Sequence, residues 1–225
     1  MTRERVKGKD NLFVSLNCIY VPRTIDKANP VACIDQLFMQ AVVANTLLVR
    51  KVKIWAEKAN GCFRISEGCR EEGGEGSNFC YWRDAMHDPD KILQIKWPPL
   101  KQHRRTVEKL MRVYNNDVSR LVDVSRQSIV FDTFTDLTMC LGEIVTDLDV
   151  KVERVKSKMS MTYDSSTTAG YRDVALNMKM DTDLACALGC ETHLCEVQLL
   201  LKKFGDLKTA EGHQRYVQHR DTRAE

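Results

Sequence analysis

The sequence has almost no excess of either charge: 34 Lys and Arg stand against 31 Asp and Glu, a formal net charge of +3. That balance excludes a histone-like coat for nucleic acid and confines any nucleotide or nucleic-acid contact to a local basic patch. A continuous apolar run is also missing. Residues 1–10 are charged and only a short mixed segment follows, so neither a secretory signal nor a membrane span is expected. A cytoplasmic or organelle-matrix location is the default. The N-terminal part has no paired His and Asp motif of the kind a metal-dependent phosphohydrolase needs. Close cysteine pairs are scarce as well, because the nine cysteines are an odd number scattered through ordinary helix and strand patterns. Reduced thiols follow from that distribution. Cys62, Cys69, Cys80 and His87 are too widely spaced for a structural zinc site. Cys186 and Cys190 have a permitted ligand spacing near His193 and Cys195, but no distant second pair accompanies them. Small buried thiols are the expected role for both groups.

What is present is enough for one sizeable core, since the chain has 225 residues and 43% of them are hydrophobic. Asn29 and Pro30 make a helix start, and Val31, Ile34, Leu37, Phe38, Val42, Leu47, Leu48 and Trp55 keep an apolar stripe at helical spacing until Asn60 and Gly61 stop it. Extended segments are expected at Cys62 to Ser66, Asn78 to Trp82 and Ile92 to Trp97. A basic helix follows from Lys101 to Tyr114, with Val107, Leu110, Met111 and Tyr114 inward and Lys101, Arg105, Lys109 and Arg112 outward. Leu121 to Phe131 reads as a strand or a helix-to-strand transition and Asp136 to Ile144 as an amphipathic helix with Leu137, Leu141 and Ile144 inward. Further strands are expected at Val150 to Lys156, Tyr171 to Met180 and Leu194 to Leu200, and a last helix from Phe204 to Arg220. The fold class is therefore α+β, a mixed sheet flanked by helices with a long N-terminal helix. Residues 1–90 read as an N-terminal extension and 91–225 as a catalytic-type domain.

Alternation along the strands gathers polar side chains. Glu196 and Gln198 share one face of their strand, while Cys195, Val197 and Leu199 take the other. Tyr171, Asp173, Asn177 and Lys179 lie opposite Val174, Leu176, Met178 and Met180. Asp123 opens its strand on the face of Ser125 and Gln127, and strict alternation turns Arg126 away from it. If the three strands are neighbours, Asp123, Asp173 and Glu196 converge, and such carboxylates are what magnesium needs when it also holds phosphates. Lys96, Lys109, Arg126, Arg154, Lys156 and Lys158 supply positive charge for a transferring phosphoryl group. For each residue the alternative is a solvated charge on a polar face.

Three segments carry a resemblance. Val122 to Phe131, Gly170-Tyr171-Arg172 and Cys195-Glu196-Val197-Gln198-Leu199 resemble, in order and spacing, the aspartate-bearing strand, the Gly-Tyr motif and the Glu-Val-Gln strand of the RelA/SpoT-type nucleotidyltransferase domain. Arg105 to Met111 resembles that family's basic helix, with Lys109 at its lysine. The resemblance covers about residues 92–212. It implies that Asp123 and Glu196 are catalytic and hold magnesium together with Asp173, and that Glu196 positions metal or acts as general base. Tyr171 would stack on the acceptor base, Lys109, Arg126 and Lys156 would contact phosphates, and Gln198 would lie in the substrate site. The implied reaction moves pyrophosphate from ATP to the 3′-hydroxyl of GDP or GTP, as in guanosine tetraphosphate synthesis, with nucleotides as partners and nucleic acid not indicated. The chain departs from the family at Ala175, where active synthetases carry histidine, at Ser128 and Leu200, where arginines are usual, and at Arg172 and Asp173, where smaller polar residues are usual. Those departures admit a catalytically silent relative that binds a nucleotide or RNA as a regulator. A third reading makes the long helix an interaction surface.

Overall fold

The computed structural model describes residues 31, 33–66, 78–168 and 170–206. Helix α1 (Ile34–Lys58) begins where the Cys33 sulfur accepts from the Gln36 amide and ends at Ala59, followed by Asn60 in the left-handed region. Asn29 and Pro30 lie outside the described residues. The buried stripe of α1 runs through Leu37, Ala41, Ala44, Leu48, Val52, Trp55 and Ala56, so alanines carry much of it and let the helix approach the sheet closely. Val42, expected inward for its size, is exposed. That stripe is core, so only the opposite face of α1, with Met39, Val42 and Ile54, is exposed.

Strands β1 (Cys62–Arg64) and β2 (Phe79–Tyr81) form an antiparallel pair and short helix α2 (Trp82–Ala85) follows. The first half of the segment expected to be extended, Ile92 to Gln94, instead ends helix α3 (Pro89–Gln94), because Asp88 caps the amides of Asp90 and Lys91 and Pro89 occupies the first turn. Only Ile95 makes an isolated bridge, to Ile65. Helix α4 (His103–Val113) buries Thr106 and Leu110 and leaves Met111 exposed, contrary to its expected inward place.

A one-turn 3-10 segment (Val118–Arg120) leads into β3 (Ser125–Phe131), α5 (Phe134–Thr146) and β4 (Val150–Ser157). Then come β5 (Val174–Met180), α6 (Asp183–Ala187), β6 (Cys195–Leu201) and α7 (Lys202–Asp206). The expected last helix is described only to Asp206.

The six strands are ordered β2-β1-β3-β6-β5-β4. Only β3 and β6 are parallel, so the sheet is mixed. Cys62 of β1 pairs with Val130 of β3, which carries one sheet across the residue 90 boundary, and α1 shares a core with β3, β5 and β6. That core takes the expected inward residues: Leu176, Met178, Val197 and Leu199, with Leu137 and Ile144 of α5. A hydrogen bond from Trp55 to Asp147 (2.8 Å) and ion pairs of Lys51 with Asp147 and Asp149 tie α1 to the turn after α5. Gly61 is required at its turn. A Cβ there would stand 2.6 Å from Ile129 Cγ2 and 2.8 Å from the Ala56 Cα. Among the described residues, no helix is long and apolar enough to cross a membrane.

Candidate functional site

The sheet face turned away from α1 is organised in rows. Register places Arg126 of β3 beside Glu196 of β6, Glu196 beside Asn177 of β5, and Asn177 beside Arg154 of β4. The next row runs Ser128, Gln198, Ala175 and Lys156. Beyond it Val130 and Leu200 are apolar and pack with Tyr171 and Phe204. Arg154 and Lys156 reach these rows because the register of β4 shifts between Val152 and Arg154. Unbroken alternation from Val150 would turn both toward the core. Arg154 Nε donates to Asn177 Oδ1 at 3.0 Å, and Asn177 Nδ2 donates to the Val122 carbonyl at 3.3 Å.

Asp123 lies before β3, in the irregular stretch between the 3-10 turn and the strand, so alternation does not govern it. Ser125 and Gln127, expected on its face, are buried toward α1, where Gln127 donates to Asn45 at 2.9 Å. Asp123 instead acts electrostatically on Glu196, together with Arg126, Asp173 and Lys109. Arg126, expected to turn away, therefore belongs to the same charged group. Asp123 Oδ2 accepts from both Lys101 (2.7 Å) and Lys109 (3.0 Å). Burial pushes the Asp123 carboxyl up, but the two ammonium groups outweigh it and hold the carboxyl below its usual range. Burial lowers the Lys101 pKa despite Asp123, whereas at Lys109 the attraction to Asp123 overcomes burial and raises it. Lys101 and Lys109 were expected outward. Their inward turn had one legible sign, a basic segment close in sequence to a lone aspartate, but the pairing itself is tertiary.

Glu196 is shifted the other way. Burial raises its carboxyl pKa above the ordinary range, Asp123 adds to the rise and Arg126 opposes it. Gln198 Nε2 donates to Glu196 Oε1 at 3.0 Å. Two neighbouring carboxyls thus have pKa values pushed apart, the pattern that lets one stay ionised while the other handles a proton.

Asp173 is wholly buried just before β5. Lys158 Nζ donates to its Oδ1 at 2.7 Å and the Tyr171 hydroxyl to its Oδ2 at 3.2 Å. Lys158 also lies 5.4 Å from the Tyr171 ring centroid. Burial, then the Asp173 charge, raises the Tyr171 pKa. Arg172 fixes the adjoining loop by donating to the carbonyls of Lys158, Ser160 and Tyr163. Lys156 is exposed across from Ala175.

For a metal, the arrangement offers Asp123 Oδ1, which is buried and has no hydrogen-bond partner, and the carboxylate of Glu196. Both Asp173 oxygens are already engaged. Among the described residues no group of three or more His, Cys, Asp or Glu could hold a metal ion. Magnesium needs only one or two carboxylates when substrate phosphates complete its shell, so the Asp123 and Glu196 pair fits it. All seven cysteines in the described residues are free, and burial pushes the Cys62, Cys190 and Cys195 thiols up to about 12.

Fold and site together define an α+β protein with a six-stranded mixed sheet, α1 and α5 packed on one face, and an acidic and basic surface on the other. No family model and no curated protein matches the chain. Solved structures similar to it include small alarmone synthetase 1 from Bacillus subtilis bound to its product pppGpp, at 16% identity and TM-score 0.45, covering 54% of this chain and 60% of that one. Another structure of that synthetase gives 17% identity and TM-score 0.42, covering 52% of this chain and 59% of that one. The Type VI effector Tas1, in complex with its immunity protein, gives 16% identity and TM-score 0.44, covering 74% of this chain and 60% of that one. The chain thus spans about 60% of the length of these structures.

Proposed function

We propose that this sheet face is a magnesium-dependent site that transfers a pyrophosphoryl or nucleotidyl group from ATP to a nucleotide acceptor, in the manner of guanosine tetraphosphate synthesis. The observation that carries the reading is the convergence of Asp123 and Glu196 beside Arg126. Two sequence motifs 73 positions apart meet through the parallel pairing of β3 and β6. Asp123 and Glu196 would hold magnesium, which when bound neutralises charge on the donor phosphates. The attacking bond forms between the acceptor ribose oxygen and the β-phosphorus of ATP, the bond from that phosphorus to the α-phosphate oxygen breaks, and AMP leaves. Glu196, with its raised pKa, takes the hydroxyl proton as general base. Lys109, Arg126 and Lys156 meet the phosphate charge, and Gln198 orients Glu196. Asp173 acts through Tyr171 and Lys158, setting the ring for the acceptor base.

A second reading, a silent relative that binds nucleotide or RNA as a regulator, is supported by the two lysines already on Asp123 and by Ala175 on this face. The test is incubation with ATP labelled in the γ-phosphate and, separately, in the α-phosphate, with magnesium and GDP or GTP, followed by chromatography; γ-label on the acceptor reports pyrophosphoryl transfer and α-label reports nucleotidyl transfer. Transfer of label that Glu196→Gln abolishes without altering the circular dichroism supports catalysis. Magnesium-dependent nucleotide binding without transfer supports the regulator. Full activity in Glu196→Gln would remove Glu196 from the site.

A further inference from the structure

The two oxygens of Asp123 are held unequally. Oδ2 accepts from Lys101 at 2.7 Å and from Lys109 at 3.0 Å, while the buried Oδ1 has no hydrogen-bond partner. Lys101 is the more deeply placed of the two cations, its side chain 12% exposed against 30% for Lys109. Its backbone amide donates to the Val124 carbonyl at 3.0 Å, so it is tethered to the same irregular stretch that carries Asp123. Among the described residues, Asp123 is the carboxylate it pairs with. An ammonium group so far from water needs such a partner.

The charges around this carboxylate do not balance. Lys101, Lys109 and Arg126 gather about Asp123 and Glu196, three cations against at most two negative charges. Asp173, the next carboxylate along the face, is already matched by Lys158 at 2.7 Å. A divalent cation arriving alone would add two positive charges to a group that has an excess of them, on a carboxylate that two ammonium groups already hold. Like charges at such short range repel. Nucleotide phosphates reverse the sum, because they bring the negative charge that the metal needs and offer the ammonium groups a second anion to pair with.

We infer that Lys101, with Lys109, makes the site take its metal only together with a nucleotide, by holding Asp123 while phosphates are absent and releasing it when they arrive. The inference rests on the magnesium and nucleotide reading of this face and adds an order to it. A ligand moves an equilibrium only by its difference in affinity for the two states. Here the difference is electrostatic, since phosphates attract the ammonium groups that a bare metal ion repels. The coupling is reciprocal, so what the metal gains from the nucleotide equals what the nucleotide gains from the metal. The two lysines on Asp123 are then the resting state of a working site.

Manganese stands in for magnesium with the full chain, and its binding is read by water-proton relaxation, first as the free ion and then as its complex with a nonhydrolysable ATP analogue. The expected result is that wild type binds the complex, and that Lys101→Met binds the free ion at least tenfold more tightly than wild type does. Lys101→Arg, which keeps a cation at the position, should behave as wild type. Asp123→Asn added to Lys101→Met should remove the gain, which places the ion on Asp123. Lys109→Met carries the same prediction as Lys101→Met, so the test stands even where circular dichroism shows one of them unfolded. Free-ion binding that is equal in wild type and the methionine variants, with the complex still bound, overturns the inference and leaves the metal and nucleotide reading in place. A gain that survives Asp123→Asn overturns it as well. Failure of the wild type to bind the complex removes that reading, and the inference with it.

Discussion

The titration of His193 gives a stability prediction whose size follows from the structure. The imidazole is neutral in the folded state with a pKa of about 4, against an ordinary value of 6.5, because it is buried without a partner. Between pH 6.5 and 4 the unfolded chain therefore binds a proton that the folded chain refuses. Stability from this group is fully present above pH 6.5 and is lost as the pH falls toward 4. At roughly 1.4 kcal/mol for each pKa unit, the loss is about 3 kcal/mol. Glu191 works in the opposite direction. Burial raises its carboxyl from 4.5 to about 7, so the folded state keeps a proton that the unfolded state releases, and stability falls as the pH rises from 4.5 to 7. In the wild type the two slopes oppose each other over the same range. Urea unfolding of wild type, His193→Phe and Glu191→Gln at half-unit steps from pH 4 to 7 separates them. His193→Phe should grow more stable as the pH falls from 7 to 4.5, and Glu191→Gln less stable. The difference between wild type and His193→Phe should change by about 3 kcal/mol between pH 6.5 and 4. A difference that is flat with pH would refute the burial argument for His193.

Other consequences are local. Trp55→Ala removes a side chain 1% exposed and its hydrogen bond to Asp147, and should cost about 3–5 kcal/mol by urea unfolding. Gly61→Ala forces a Cβ against Ile129 and the Ala56 backbone and should cost about 1–3 kcal/mol, read as a lower midpoint at unchanged m-value. Lys101→Met with Lys109→Met removes both cations from Asp123, so the Asp123 carboxyl should titrate above its usual range by ¹³C NMR, because burial, the largest influence on it, is then no longer outweighed by the two lysines. Each single variant should move it less. Arg172→Ala frees three loop carbonyls, and amide exchange should quicken across residues 158–163 while β5 stays protected.

The elements were legible in the sequence wherever periodicity was strong: α1, α5, β4, β5 and β6 lie where the apolar spacing puts them. Ile92 to Trp97 misled because a few apolar residues fit a strand as well as a turn of helix, and Asp88 with Pro89 decided the matter locally. Size misled in α1, where alanines are buried and Val42 is not, because close packing on the sheet selects small side chains. The convergence of Asp123 and Glu196 followed from motif order once β3 and β6 were taken as neighbours. The face of Asp123 did not, since it precedes the strand and alternation has no hold there. The register shift that brings Arg154 and Lys156 to the site, the Lys101 contact and the buried Asp173 pair depend on tertiary pairing. No local pattern encodes them.

The most direct test of the central claim, that Asp123 and Glu196 form one magnesium and nucleotide site, is calorimetric titration with a nonhydrolysable ATP analogue. It would compare wild type, Asp123→Asn and Glu196→Gln, with magnesium and with EDTA. The account predicts binding that needs magnesium in the wild type and weakens at least tenfold in each variant, measured at a temperature where circular dichroism shows every variant folded. Binding of equal strength in EDTA, or in both variants, would contradict it.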